Sequence, residues 1–175
     1  MMDFEEIEDF ANKADKDVGR FFIRDVNLSP ERLLATDFEI DVMKWNSISY
    51  MDEKSYSKIP SDKRGIYAFG ISVENKVFPP NSLIMYIGIA GRKSDRSLRD
   101  RFRDYCSKSK ILERPKINRM IANWRHVLLF FYAPVEDDVT SETLEKFEEQ
   151  LAGSFMPAMG SGDLEIELKK SRRAF

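Results

Sequence analysis

Two apolar runs, Gly65–Ser72 and Leu83–Ala90, most constrain what this chain can fold into. Each carries hydrophobic side chains on both parities, so each reads as a strand buried on both faces, with helices expected above and below it. Each also holds one of two mirrored tripeptides, Gly65-Ile66-Tyr67 and Tyr86-Ile87-Gly88. Together the strands are expected to bring Tyr67 and Tyr86, nineteen residues apart in the chain, to the same end of a small sheet. An arginine-rich segment comes directly after. Phenols beside guanidinium groups make a candidate phosphate site.

The formal charge of −2 averages over opposed blocks. From Arg92 to Arg125 there are twelve Lys/Arg against four Asp/Glu, and Lys169, Lys170, Arg172 and Arg173 form a second basic cluster. The compensating acid lies in Asp3–Asp17 and Glu136–Glu149. Segregation of this kind lets a chain with a pI near 5.6 present a positive face to a polyanion. The plainer alternative is a set of solvated helix faces. Thirteen Phe among 175 residues argue against disorder, and the length suits one packed domain with a small appendage. The single cysteine, Cys106, excludes an internal disulfide framework or a Cys-based zinc cluster and suits a reducing compartment. The acidic N-terminus lacks the pattern of a signal peptide, and no apolar run approaches the roughly 18–20 residues that span a bilayer. The expectation is a soluble cytoplasmic protein with no membrane partner.

Around the two strands the coarse pattern is helical. Phe4, Ile7, Phe10, Ala11 and Ala14 predict an amphipathic helix over 2–16, and Ser29-Pro30 opens a short helix through Ala35. Phe38–Met43 alternates like a strand, and Lys44–Asp62 is polar and aromatic without a clear period. A turn around Glu74–Asn75 and a Pro79-Pro80-Asn81 loop join the two motif strands. After the basic loop Ala90–Arg96, a helix is expected over Ser97–Ser107, with Leu98, Phe102, Tyr105 and Cys106 on one face. Pro115 opens another through Trp124, Val127–Tyr132 is a third strand, and Thr140 or Ser141 caps a helix running to about Ser154. On that last helix Leu144, Phe147, Leu151 and Phe155 face inward and Glu148 borders the stripe. Gly160-Ser161-Gly162 leads to a short strand, Leu164–Leu168. The predicted fold is α/β (α+β): a three-stranded central sheet flanked by helices, with 1–60 as an N-terminal extension packed on the core, 61–160 as the main domain and 161–175 as a C-terminal strand and basic tail.

The two tripeptides, in this order and with the helices beyond them, resemble the GIY-YIG nuclease family. Leu98-Arg99-Asp100-Arg101-Phe102-Arg103-Asp104-Tyr105 is similar to the family helix of Leu, two residues, Arg, a hydrophobe, two residues and Tyr or His. Glu148, Leu151 and Pro157 match a later Glu with its subsequent aliphatic and Pro. The resemblance covers residues 63–160. It implies a metal-dependent DNA endonuclease in which Tyr67, aided by Tyr86 or Tyr105, activates a water, Arg101 clamps the scissile phosphate, and Glu148 holds one Mg2+ or Mn2+ ion. It implies 5′-phosphate and 3′-hydroxyl products. Periodicity alone does not choose between Arg99 and Arg101; the family pattern selects Arg101. One departure is Gly160, where the family carries Asn, which implies altered substrate positioning or reduced activity.

The residues can also be weighed without the resemblance. Tyr67 shares the parity of Phe69 and Ile71, so a core aromatic is its plain alternative role. A carboxylate leaning inward at Glu148 must find a partner, for which a metal, Arg101 or another Lys or Arg would serve. Gly88, lacking a side chain, allows substrate or backbone to approach closely. His126, the only histidine, reads as a cap or packing residue. Arg92, Lys93, Arg96 and Arg99 are the candidate DNA contacts, with RNA as the other nucleic acid. Two further readings stay open: a GIY-YIG-fold binding module with impaired catalysis, and an interaction protein whose motif tyrosines are only core. A monomer and a homodimer are equally compatible with the chain.

Overall fold

A computed structural model of the chain describes residues 5–9, 43–73, 81–155 and 157–159. Its centre is an antiparallel sheet of four strands in the order β1-β4-β2-β3. The strands are β1 (Asn46–Ser49), β2 (Gly65–Val73), β3 (Asn81–Ala90) and β4 (Leu128–Pro134). The motif strands β2 and β3 are therefore neighbours, with β2 central and β3 at the sheet edge. The expected three-stranded sheet is corrected to four. The added strand, β1, pairs Ile48 with Phe130 on β4. Its sequence, Asn46-Ser47-Ile48-Ser49, has one apolar side chain in four, too little for an alternation to register.

Four labelled helices complete the described fold: α1 (Leu98–Asp104), α2 (Lys108–Leu112), α3 (Pro115–Trp124) and α4 (Ser141–Phe155), with a 3-10 helix at Glu53–Lys58. Each main start has a local chemical cause. Ser97 and Asp100 form a reciprocal capping box at α1. Pro115 stands at the start of α3, where its missing N–H costs nothing. Thr140 Oγ1 accepts from the Thr143 amide at 3.1 Å ahead of α4. The helix expected over Ser97–Ser107 is shorter than that and is succeeded by α2, whose five residues are too few to show a period.

Both faces of the sheet are covered, as the doubly apolar strands require. One face, with Tyr67, Phe69, Ile71, Met85, Phe130 and Tyr132, packs under α1, α2 and α3 through Leu98, Phe102, Ile111, Ile117, Met120 and Ile121. Ile48, Tyr50 and Ile59 join the same core, as does Ile7 from the helical segment at residues 5–9. The other face, with Ile66, Ala68, Ile87 and Ile89, packs under α4 through Leu144, Phe147 and Leu151. Two expected core residues face outward instead: Cys106 is exposed beyond the end of α1, and Phe155 is 39% exposed at the end of α4. The remaining buried positions of α4 include Leu144, Glu148 and Ala152, which places Glu148 in the middle of the buried stripe rather than at its border.

A bulge sets the phase of β3. Phe69 pairs with Tyr86, but the next residue, Gly70, pairs with Ile84, so Met85 is the extra residue. Consecutive side chains, Met85 and Tyr86, therefore both pack in the core that contains Tyr67. The Met85 carbonyl accepts from the Met159 amide at 2.8 Å, tying the segment after α4 to the sheet edge. The helix and strand expected at Ser29–Ala35 and Leu164–Leu168, and the turn at Glu74–Asn75, lie outside the described residues, as do 10–42 and 160–175 generally. Among the described residues no helix is long and apolar enough to cross a membrane.

Candidate active site

Strand register brings the two tripeptides into contact. Tyr67 lies directly opposite Gly88, and Gly65 opposite Ala90. A Cβ built on Gly88 would stand 2.5 Å from Tyr67 Oη and 2.7 Å from its Cζ. The space left by this glycine is filled by the tyrosine of the partner tripeptide, rather than left open for a substrate. Tyr67 is fully buried, and its ring meets Phe130 at 5.5 Å, Tyr105 at 5.8 Å and Tyr86 at 6.2 Å between centroids. Its hydroxyl is 2.8 Å from that of Tyr105, which is also fully buried. Tyr86 is half-buried and its ring lies 6.2 Å from that of Tyr105. Three tyrosines from two strands and the end of α1 thus form one cluster.

Arg101, on α1, faces this cluster. Its guanidinium is raised in pKa: burial works against the charge, but Tyr67, Tyr105 and Tyr86 together outweigh that cost. Burial pushes the Tyr67 phenol well above the usual tyrosine range, Tyr86 adds to the rise, and Arg101 opposes without cancelling it. Tyr105 rises for the same first reason, with Tyr67 and Tyr86 adding to it. The pull of Arg101 toward a phenolate is therefore present but outweighed, and both buried tyrosines are neutral hydroxyls near pH 7. Arg101 Nη1 lies 3.6 Å from Asp104 Oδ2, beyond hydrogen-bonding range, and its Nε is buried without a partner among the described residues.

Glu148 is on α4, across the sheet from the helices that carry Arg101 and Tyr105, and is 4% exposed. Its carboxylate pairs with Arg92, from the loop after β3, and the same guanidinium sits 3.1 Å from Glu145 Oε1. Arg92, expected to contact substrate, is thus seated on the carboxylate expected to hold metal. A single carboxylate is a donor that suits a hard cation only when most of the ligands come from elsewhere. Entry of an ion would require Arg92 to yield. Among the described residues no three Asp, Glu, His or Cys side chains converge on a common point.

The other basic candidates divide. Lys93 is exposed in the loop before α1. Arg99 is committed inward, donating to the carbonyls of Ile59 at 2.7 Å and Ser57 at 2.8 Å and lying over the Tyr56 ring. Arg96 donates to Asp104 at 2.6 Å. His126 is exposed in the turn before β4. Much of the positive segment is therefore engaged within the fold, which a charge count does not reveal. Sequence reasoning missed Asp104, Lys110 and Arg114, whose guanidinium stacks 4.6 Å from the Tyr105 ring. The available signal was an acidic residue three positions after Arg101 on a helix otherwise dense in cations. No protein-family model, no curated protein and no solved structure matches this chain.

Proposed function

We propose that the chain is a metal-dependent endonuclease that hydrolyses phosphodiester bonds in DNA, with Tyr86 and Arg101 at the reacting phosphate, Tyr67 and Tyr105 buried behind them, and Glu148 as the metal carboxylate. The observation that carries this reading is the convergence of three tyrosines and an under-used arginine, drawn from three separate elements, at one end of the sheet. Tyr86 and Arg101 are the partly exposed members, so substrate approaches from their side. Arg101 donates hydrogen bonds to the phosphate and offsets the charge that develops there. Tyr86 is the partly exposed hydroxyl of the cluster and passes the attacking water's proton to solvent as the P–O3′ bond breaks and the 3′ oxygen takes a proton from solvent. The buried, neutral Tyr67–Tyr105 hydroxyl pair stands behind it, and their rings hold that of Tyr86 in place. Glu148, on the other face of the sheet, would hold Mg2+ or Mn2+ once Arg92 yields, and the ion would supply neutralisation of the negative charge of the phosphodiester. Cleavage of supercoiled DNA with and without Mg2+ tests the reading. Arg101→Ala and Glu148→Ala should each lower the rate by about a hundredfold or more. Undiminished cutting by both variants would refute the assigned site.

The Arg92–Glu148 ion pair favours a second reading, a nucleic-acid-binding module of the same fold with impaired catalysis. It predicts salt-sensitive binding without a metal-dependent product, and little effect of Glu148→Ala on affinity.

A further inference from the structure

Asp104 occupies a position where a carboxylate is poorly placed by itself. It ends α1, where the helix carbonyls already carry partial negative charge, and its side chain is only 7% exposed. Its surroundings are cationic: Oδ1 accepts from Arg96 Nη2 at 2.6 Å and from Lys110, while Arg101 Nη1 approaches Oδ2 at 3.6 Å. Three cations on one anion leave a local charge of +2, more than the carboxylate needs. These cations are also reachable, with side chains 39%, 32% and 45% exposed for Arg96, Arg101 and Lys110. Arg101, with its Nε lacking an acceptor among the described residues, links the cluster to the tyrosines. Burial alone would raise the Asp104 carboxyl, yet Arg96 and Lys110 hold it below the usual range, so the carboxylate stays ionised between them.

We propose that Asp104 is a positioning residue that gathers Arg96 and Lys110, beside Arg101, into one phosphate-binding site, where a nucleic-acid backbone phosphate neighbouring the one Arg101 clamps is held. The nucleic-acid part rests on the function proposed above; the phosphate site itself does not. Excess cations on a shared carboxylate are pre-oriented, so their donors need little ordering when a phosphate oxygen arrives.

Simple electrostatics and positioning make opposite predictions for Asp104→Asn. Removing a negative charge should tighten binding of a polyanion if charge alone matters. If Asp104 orients the cations, binding should weaken by roughly tenfold, the scale on which an orienting partner acts. The measurement is binding of a short DNA duplex in EDTA, by fluorescence anisotropy over a range of salt, with pyrophosphate binding by calorimetry as a second arm. Arg96→Gln with Lys110→Gln, both at partly exposed side chains on the one phosphate, should lower the slope of log affinity against log salt by about one and weaken pyrophosphate binding. Unchanged or tighter binding by a folded Asp104→Asn overturns the positioning role. If that variant does not fold, the double variant decides, and an unchanged salt slope with unchanged pyrophosphate binding overturns the site. Wild-type protein that binds neither probe also overturns it. Pyrophosphate bound without DNA keeps the site and removes the nucleic-acid reading. DNA cut with Mg2+ but unaffected by the double variant keeps the nuclease and removes this site.

Discussion

Gly88→Ala is expected to destabilise the fold because of one particular neighbour. The new methyl would stand 2.5 Å from Tyr67 Oη, whereas ordinary contact begins at 3.4 Å, so the phenol must retreat by 3.4 − 2.5 = 0.9 Å. Retreat is blocked by Phe130, Tyr105 and Phe69, whose ring centroids lie 5.5, 5.8 and 6.4 Å from that of Tyr67. Overpacking a filled core costs about 1–3 kcal/mol. Weakening the 2.8 Å Tyr67–Tyr105 hydrogen bond adds about 1 kcal/mol. The better strand entropy of Ala over Gly returns about 0.5–1 kcal/mol. The net expectation is a loss on the order of 2 kcal/mol, read as a lower urea midpoint at constant m-value. In a Tyr67→Leu background the two closest contacts are gone and only Tyr86 Cε1, at 3.1 Å on a half-buried ring, must give slightly, so Gly88→Ala should become nearly neutral. A double-mutant cycle therefore predicts a coupling of about 2 kcal/mol between residues 67 and 88. Equal costs of Gly88→Ala in both backgrounds, within about 0.5 kcal/mol, would refute this account of the motif.

Single groups carry the other expected outcomes. Asn118, fully buried on α3 with neither amide atom partnered among the described residues, should be replaceable by Leu with a gain of about 1–3 kcal/mol, seen as a higher melting temperature; a drop would show that the amide is satisfied in solution. Tyr67 and Tyr105 are raised in the fold, so their contribution to stability is complete below the unfolded tyrosine pKa of about 10 and declines as pH rises above it. Changing both to Phe should flatten that alkaline decline in urea midpoint. Asp104 is lowered, so its contribution is present above the unfolded value of about 4 and is lost as pH falls through its folded value; Asp104→Asn should flatten the acid limb. Arg92→Gln removes the ion pair on Glu148 at a cost of about 1–3 kcal/mol and, if Glu148 holds metal, should reduce the Mg2+ concentration needed for half-maximal cutting. An unchanged or higher requirement would argue against Glu148 as the ligand.

Legibility in the sequence tracked the range of the forces involved. Strands β2 and β3 and the bounds of α3 were readable because apolar runs, the proline at 115 and the flanking turn residues act within a few positions of themselves. Likewise the grouping of Tyr67 with Phe69 and Ile71 needed only the two-residue period of a strand. The four-residue strand β1 was not readable, since pairing with β4 rather than its own pattern makes it a strand. Nor was the register slip at Met85, which adds Met85 to the face of Tyr67 and Tyr86, puts Ile84 on the other face and depends on how β3 meets β2.

The candidate site divides in the same way. Its tyrosines could be named from the two strand patterns and the helix after them, but Arg101 only through the family resemblance, because helix periodicity left Arg99 equally placed. Which carboxylate each arginine takes could not. Arg92 on Glu148, Arg96 and Lys110 on Asp104, and Arg99 on the carbonyls near residue 58 are pairings between segments that only packing brings together. By itself the sequence determined which side chains were available and on what kind of element. Only the tertiary structure decided which charges neutralise one another and which remain for a ligand, because Coulomb energy depends on distance in space and on burial, neither of which order along the chain records.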